Sequence, residues 1–320
     1  MKNAMIIPAF VVSLTALSCA PSREPPAAPP SAVGLASGSF SATLNGFDIH
    51  YEVHGQGPVL MVVPNSWGLS LAGLRELFRP LEEKLTLVYF DPRGMGGSAA
   101  IVEEADMGMA AVRSDVQALR EHLGLRKANA IGWSNGAMNL IVLAAERPET
   151  IERAVFVHGA ASFTEEDMAA MAGRYPELMG RWAAFQREVA GNPELTVEEK
   201  TTRMRGLWLG DYFPTMTGDP AAAGPLMERL FGAAEFSFAH ADYTNRESPT
   251  FDARDRLASI TARSLVIAGA HDMMLPEKVR ELADGIAGAE YVVFERSGHF
   301  APAEETERFT EVVWGFLGVE

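Results

Sequence analysis

Cysteine is almost missing from this chain: 320 residues contain one, Cys19. No disulfide therefore braces the fold, and a core of this size does not require one. Basic residues are also scarce, 27 Lys and Arg against 42 Asp and Glu, giving a net charge of -15 and a pI near 5.0. Phosphate binding needs clustered Lys and Arg, so this balance excludes nucleic acid as a partner. The acidity keeps the protein soluble and mildly repels anionic substrates. The apolar stretch from Ala4 to Leu17 is too short to span a bilayer stably. No internal repeat is visible. What remains is ordinary: 48% hydrophobic and 22% charged residues, with room for one large α/β domain or two small ones.

The N-terminus carries an address. Met1-Lys2-Asn3 provides a positive start, Ala4 to Leu17 an apolar stretch, and Ser18-Cys19-Ala20 a small-residue boundary. A single cysteine at that boundary resembles a bacterial lipoprotein signal, in which the cysteine is lipidated and becomes the mature N-terminus. Thr15-Ala16-Leu17-Ser18-Cys19 departs from the preferred pattern, which has Leu where Ala16 stands. Residues 1–19 are expected to be a signal peptide, with attachment to a membrane through lipidated Cys19. The alternative is a simple cleaved signal on a periplasmic or secreted protein. Residues 20–38, rich in Pro, Ala, Ser and Gly without periodicity, are expected to be a disordered linker.

Beyond the linker, Phe40 to Leu44 and Phe47 to Val53 flank Asn45-Gly46, a hairpin signal. Val59 to Val63, Leu85 to Phe90, Lys127 to Trp133 and Ile151 to Val157 are short apolar runs suited to central parallel strands. Helix-like runs separate them: Leu69 to Leu81, Met107 to Leu123 with Asp106 as N-cap, and Ala137 to Glu146. This alternation predicts a doubly wound, mostly parallel sheet. It breaks from residue 163 to 252, where the pattern predicts helices over Glu165–Arg174, Glu177–Ala190, Val197–Tyr212 and Ala221–Phe236 and no strand. Strand pattern resumes at Leu265. The expected organisation is a core of residues 39–162 and 253–320 interrupted by a helical cap, 163–252, folded over the strand ends.

Gly132-Trp133-Ser134-Asn135-Gly136 lies where a strand run gives way to a helix run. Glycines two residues either side let the backbone pass a crowded bend and present Ser134 as a nucleophile. A serine hydroxyl needs a base in contact, and that base needs a carboxylate to fix its tautomer. Asp272 follows the strand pattern ending at Gly269, and His299 follows the one ending at Phe294. Open parallel sheets place catalytic groups just past such strand ends.

From residue 40 to 318 the chain resembles the α/β-hydrolase superfamily. The motifs that carry the likeness are Asp91-Pro92-Arg93-Gly94-Met95-Gly96-Gly97-Ser98, the Ser134 turn, Gly269-Ala270-His271-Asp272 and Ser297-Gly298-His299. The order serine, acid, histidine is the one this fold uses. The nearest branch is that of proline iminopeptidases and esterases. The resemblance implies an α/β-hydrolase fold with an inserted helical cap, and a triad of Ser134, Asp272 and His299 without metal or organic cofactor. It also implies an oxyanion hole from the N–H groups of Asn135 and, aligned by strand end, Ser66. Here the chain departs from its relatives, with Pro64-Asn65-Ser66-Trp67-Gly68 where His-Gly-Gly is common. Asn135 also replaces the tryptophan that peptidases of this branch carry after the nucleophile.

Trp67, Trp133, Met273, Trp182 and Trp208 are the expected pocket residues. Other aromatic and methionine positions of the insertion are expected to form mostly the cap's own core. His158, His240 and His271 are expected to be local structural histidines, and Asp91 with Arg93 to pin a loop. The favoured activity is hydrolysis of a small-molecule carboxylic ester or lactone. The alternative is a proline-iminopeptidase-like aminopeptidase, with cap acids such as Glu228, Glu235, Asp242 and Glu247 holding the substrate ammonium. Carbon–carbon hydrolysis, cofactor-free haloperoxidase chemistry and a non-catalytic binding protein stand further off.

Overall fold

A computed structural model of the chain describes residues 34–247, 249–274 and 276–319. Cys19, the signal stretch and the linker as far as residue 33 lie outside the described residues. No described helix is long and apolar enough to cross a membrane.

Two antiparallel strands, β1 (Gly38–Leu44) and β2 (Phe47–Gly55), open the sheet. Asn45 and Gly46 both have positive φ, 50° and 87°, as a two-residue hairpin turn matched to strand twist requires. β3 (Val59–Val63), β4 (Thr86–Phe90), β5 (Ala128–Trp133) and β6 (Ile151–Val157) follow. A two-residue pair, β7 (Ser162–Phe163) with β8 (Phe251–Asp252), comes next, then β9 (Arg263–Gly269) and β10 (Glu290–Phe294). Eight strands form one sheet in the order β1-β2-β4-β3-β5-β6-β9-β10, parallel from β4 onward. The carboxyl ends of β3, β5, β6, β9 and β10 consequently share one edge.

Period-2 alternation distributes the strand residues to two faces. Leu60, Val62, Ile131, Val155, Leu265 and Ile267 pack into one buried cluster; Met61, Val63, Ala130, Phe156, Val266 and Ala268 pack into the other. The helices of the core are α1 (Leu71–Phe78), α2 (Gly108–His122) and α3 (Asn135–Glu146). After the insertion come α10 (Pro276–Gly285), α11 (Ala301–Glu304) and α12 (Thr306–Leu317). α2 starts later than its sequence suggests. The Asp106 carboxylate accepts the N–H groups of Val102 and Glu103, closing a cap on the preceding 3₁₀ turn, and Met107 becomes the N-cap.

The insertion comprises α4 (Glu165–Arg174), α5 (Pro176–Phe185), α6 (Val197–Leu207), α7 (Phe213–Thr215), α8 (Ala223–Phe231) and α9 (Phe238–Glu247). Three features differ from the sequence expectation. β7 and β8 clasp its two ends. The helix expected to reach Phe236 stops at Phe231, because residues 235–237 instead pair with the loop after β3: Ser70 N–H donates to Glu235 O and Ser237 N–H to Gly68 O. Finally, the insertion's buried residues Met171, Phe185, Met204, Trp208 and Phe213 do not form a core of their own. They are continuous with the cluster on one sheet face.

Candidate active site

Ser134 sits between β5 and α3 with φ 55° and ψ -122°, a conformation costly for any residue with a side chain. Its two flanking glycines are required by crowding. A Cβ on Gly132 would lie 2.4 Å from Gly136 O, and one on Gly136 would lie 2.4 Å from Val63 O. The Ser134 side chain does not cap α3 and opens to the cavity above the sheet edge.

Asp272 and His299 meet from neighbouring strand ends. His299 Nδ1 is 2.8 Å from Asp272 Oδ2, and the Met274 N–H donates to Asp272 Oδ1 at 2.8 Å. Both side chains are buried. Burial alone would push the Asp272 carboxyl up, but the attraction and hydrogen bond of His299 and the imidazole of His158 beside it hold it far below the usual carboxylate range. The main chain of His299 is fixed as well. Trp133 Nε1–H donates to His299 O at 2.8 Å, and the His299 N–H donates to Met216 O at 2.6 Å. Glu304 accepts the N–H groups of Gly298 and Phe300 from the same loop and of Gly218 from the insertion.

His158 was expected to be a local hydrogen-bonding residue, yet it stands against the same carboxylate. It follows β6, between the strands carrying Ser134 and Asp272, with φ 54° and no exposed surface. Its Nδ1 lies 2.9 Å from Asp272 Oδ2 but off the hydrogen-bond axis, and neither ring nitrogen has a well-aligned partner. Burial pushes this imidazole below its ordinary 6.5 despite the attraction of Asp272. Adjacent strand order was the signal that could have found it. Among the described residues, His158, Asp272 and His299 are the cluster whose ligand atoms come close enough for a cation, within 4.8 Å of one another. The His299–Asp272 hydrogen bond already uses two of those atoms.

The other structural expectations hold in part. Asp91 and Arg93 do not pair with each other. Asp91 accepts the N–H groups of Leu71 and Gly97, whereas Arg93 makes a two-pronged bond to Asp115 on α2 at 2.8 Å. His240, on α9, ties the insertion to that loop through Nε2 and Arg93 O at 2.8 Å. His271 is exposed.

Ser134 and His299 open into a cavity of about 570 Å³. Of the expected pocket residues, Trp67, Trp133, Trp182 and Trp208 line it and Met273 does not. Met273 is fully buried in the core, because the turn after Asp272 points its neighbour Met274 to the cavity instead. Trp67 meets Trp208 edge to face at 4.9 Å and Phe213 at 6.3 Å, so loop and insertion share one aromatic wall. Seven methionines line the remainder, including Met109 and Met138 from core helices, which no pattern marked. Two π-helical turns, Gln186–Ala190 and Trp208–Tyr212, supply Gln186, Trp208 and Tyr212 to the wall. Tyr212 lies deep but keeps part of its ring open to the cavity. Burial and then the Asp272 charge push its phenol up to about 12, which leaves it a neutral donor.

Among the described residues, no Asp, Glu, Lys or Arg lines this cavity. The cap acids proposed to receive an ammonium are elsewhere: Glu235 accepts from Gly96 N–H, Glu247 from Met109 N–H, Asp242 pairs with Arg246, and Glu228 is exposed. Ser66 is also displaced from its expected role. It is buried behind the cavity wall, and both its N–H and its Oγ–H donate to Asn135 Oδ1 at 2.8 Å.

The family model for the alpha/beta hydrolase fold matches residues 59–306, most of the chain. The chain belongs to the α/β-hydrolase family. This α/β-hydrolase is 22% identical over 289 residues to a proline iminopeptidase of Lactobacillus helveticus, covering 85% of this chain and 95% of that protein. It is 30% identical over 147 residues to human serine hydrolase BPHL, a match spanning 45% of this chain and half of that protein. Among solved structures it is similar to the enol-lactonase from Burkholderia xenovorans LB400, with 23% identity, a TM-score of 0.64, and coverage of 87% and 99% of the two chains. Its relatives are hydrolases, and this α/β-hydrolase is an enzyme of that kind.

Proposed function

We propose that this enzyme is a serine hydrolase cleaving an uncharged, largely apolar carboxylic ester or lactone through an acyl-enzyme. Ser134 Oγ attacks the acyl carbonyl while His299 Nε2 takes its proton. Asp272, holding Nδ1–H, fixes the tautomer and stabilises the imidazolium that forms. His299 then protonates the leaving alkoxide, and water repeats the sequence in reverse roles to release the acid. The Asn135 N–H, an unpaired donor in the first turn of α3, faces the negative oxygen.

The observation that carries the substrate class is the lining of the cavity. Ser134, Asn135, His299, Tyr212, Gln186, Thr244 and Asn245 are its polar groups, and no charged side chain is among its described residues. A free ammonium or a second carboxylate entering it would lose its hydration with nothing to replace it, at a cost of several kcal/mol. An uncharged substrate has no such cost. The same argument weighs against the aminopeptidase reading, which the extent of the proline iminopeptidase match otherwise favours. In this reading residues 163–252 act as a cap that selects among neutral esters.

A panel of short and long p-nitrophenyl esters, lactones and aminoacyl nitroanilides tests it, with fluorophosphonate labelling of Ser134 alongside. Turnover of neutral esters or lactones is expected. A clear preference for aminoacyl nitroanilides, or a protein that takes no label, would rule the reading out. Cys19 is proposed to carry lipid at a membrane, which intact-mass measurement of protein from a bacterial host decides.

A further inference from the structure

Ordinarily two backbone N–H groups form the oxyanion hole of such a site, one after the nucleophile and one from the loop after the third strand. In this molecule the second is already spoken for. Ser66 N–H points at Asn135 Oδ1, 2.8 Å away, and Ser66 Oγ–H donates to the same oxygen at 2.8 Å. Ser66 is 1% exposed and is not part of the cavity wall, whereas Asn135 is. Because both partners on Ser66 are donors, the Asn135 atom facing them must be the carbonyl oxygen. The amide orientation is therefore fixed by chemistry. Its other end, Nδ2, has no hydrogen-bond partner among the described residues and is not buried away from the cavity.

We infer that the Asn135 side-chain amide is itself the second oxyanion donor, so that residue 135 supplies both: its backbone N–H and one N–H of Nδ2. The Ser66 donors act through it by holding the carboxamide. Thr244 Oγ1–H, donating to Ser66 O at 2.8 Å from α9, holds Ser66 in turn. Two hydrogen bonds on Oδ1 pre-orient the amide before substrate arrives, which is what makes a donor effective in the transition state. They also polarise it: electron density drawn toward Oδ1 strengthens the N–H donors. The charge develops only as Ser134 Oγ adds to the carbonyl, so the effect belongs to the chemical step and not to substrate binding.

This inference rests on the serine hydrolase reading above, and the two fail differently. On the best ester of the panel, Asn135→Ala is expected to lower kcat by about a hundredfold to a thousandfold, with KM within about threefold. Asn135→Asp, which keeps the shape but offers no side-chain N–H at neutral pH, is expected to lose at least as much; it decides the matter if the alanine variant does not fold. Inhibition by phenylboronic acid, which forms a tetrahedral adduct on the serine, is expected to weaken by a similar factor in both variants. If either folded variant keeps the wild-type kcat or exceeds it, Asn135 only obstructs Ser66 N–H and the inference is overturned. A wild-type protein that hydrolyses no ester and takes no label overturns both readings.

Discussion

The parallel strand ends and the helical insertion make the same cavity by opposite means. At the strand ends each functional side chain is fixed by several strong contacts. Ser134 is held by a strained turn, Asp272 by the Met274 N–H and His299 with His158 packed against the same carboxylate, and His299 by Trp133, Met216 and the Glu304 loop. The insertion offers methionines, stacked rings and two π-helical turns, which fit a shape without fixing an atom. Chemistry needs groups held to within about 0.5 Å, whereas recognition of an apolar group needs only volume and the absence of charge. The division is not complete. Thr244 and Ser237 of the insertion bond to the loop carrying Ser66, so the insertion also braces part of the reacting region.

The largest expected contrast lies in the strand-end residues. Ser134→Ala and His299→Ala should each abolish ester hydrolysis, by up to about a millionfold if the groups act as a unit. Asp272→Asn should cost on the order of ten-thousandfold, because the wrong tautomer of His299 would be favoured. Steady-state kinetics on a folded protein checks both; a Ser134→Ala variant of full activity would erase the contrast.

Substitutions in the insertion should alter preference before rate. Trp182 lines the cavity and stacks on Phe185 at 5.6 Å. Trp182→Ala opens volume there and should shift the ratio of kcat/KM between long-chain and short-chain esters by roughly tenfold to a hundredfold. Fluorophosphonate labelling of Ser134 should survive. An insertion residue as indispensable to labelling as His299 would collapse the comparison.

Trp133→Phe sharpens it from the core side. It keeps the ring against His299 but removes the donor to His299 O, leaving a buried carbonyl unpaired. A loss of ~1–3 kcal/mol in unfolding free energy is expected, read from the denaturant midpoint, together with a lower kcat.

The smallest effect is a pH slope. Burial lowers the pKa of His158 and of His240 from the ordinary 6.5. Below that value the unfolded chain binds protons that the folded one resists, so stability contributed by these groups is present above about pH 6.5 and lost as pH falls. Melting temperature should decline from pH 7 to 5, and His158→Gln should flatten the decline. An equal slope in that variant would remove His158 from the account.

Much of this molecule is legible in its residues. The strand and helix periods gave the parallel sheet, and Gly132, Ser134 and Gly136 marked the sharp turn, because local sterics admit few alternatives there. Position after a strand end located Asp272 and His299, since parallel strands bring those ends to one edge whatever the loops do. The insertion was legible as helical but not in its ends. Its last expected helix ran on to Phe236, and α9 went unread, because residues 235–237 take their hydrogen bonds from a loop some 165 positions earlier.

The sequence by itself determined the family and the chain order of Ser134, Asp272 and His299 at their strand ends; the uncharged lining of the cavity above them emerged only in the fold. Tertiary structure decided what stands next to what. It set His158 against Asp272, turned Met274 rather than Met273 to the cavity, and took the Ser66 donors out of the wall by giving them to Asn135. Periodicity reports which face of an element a residue occupies, but a hydrogen bond between strand ends 69 positions apart depends on the exact path of two loops, and no local pattern encodes that.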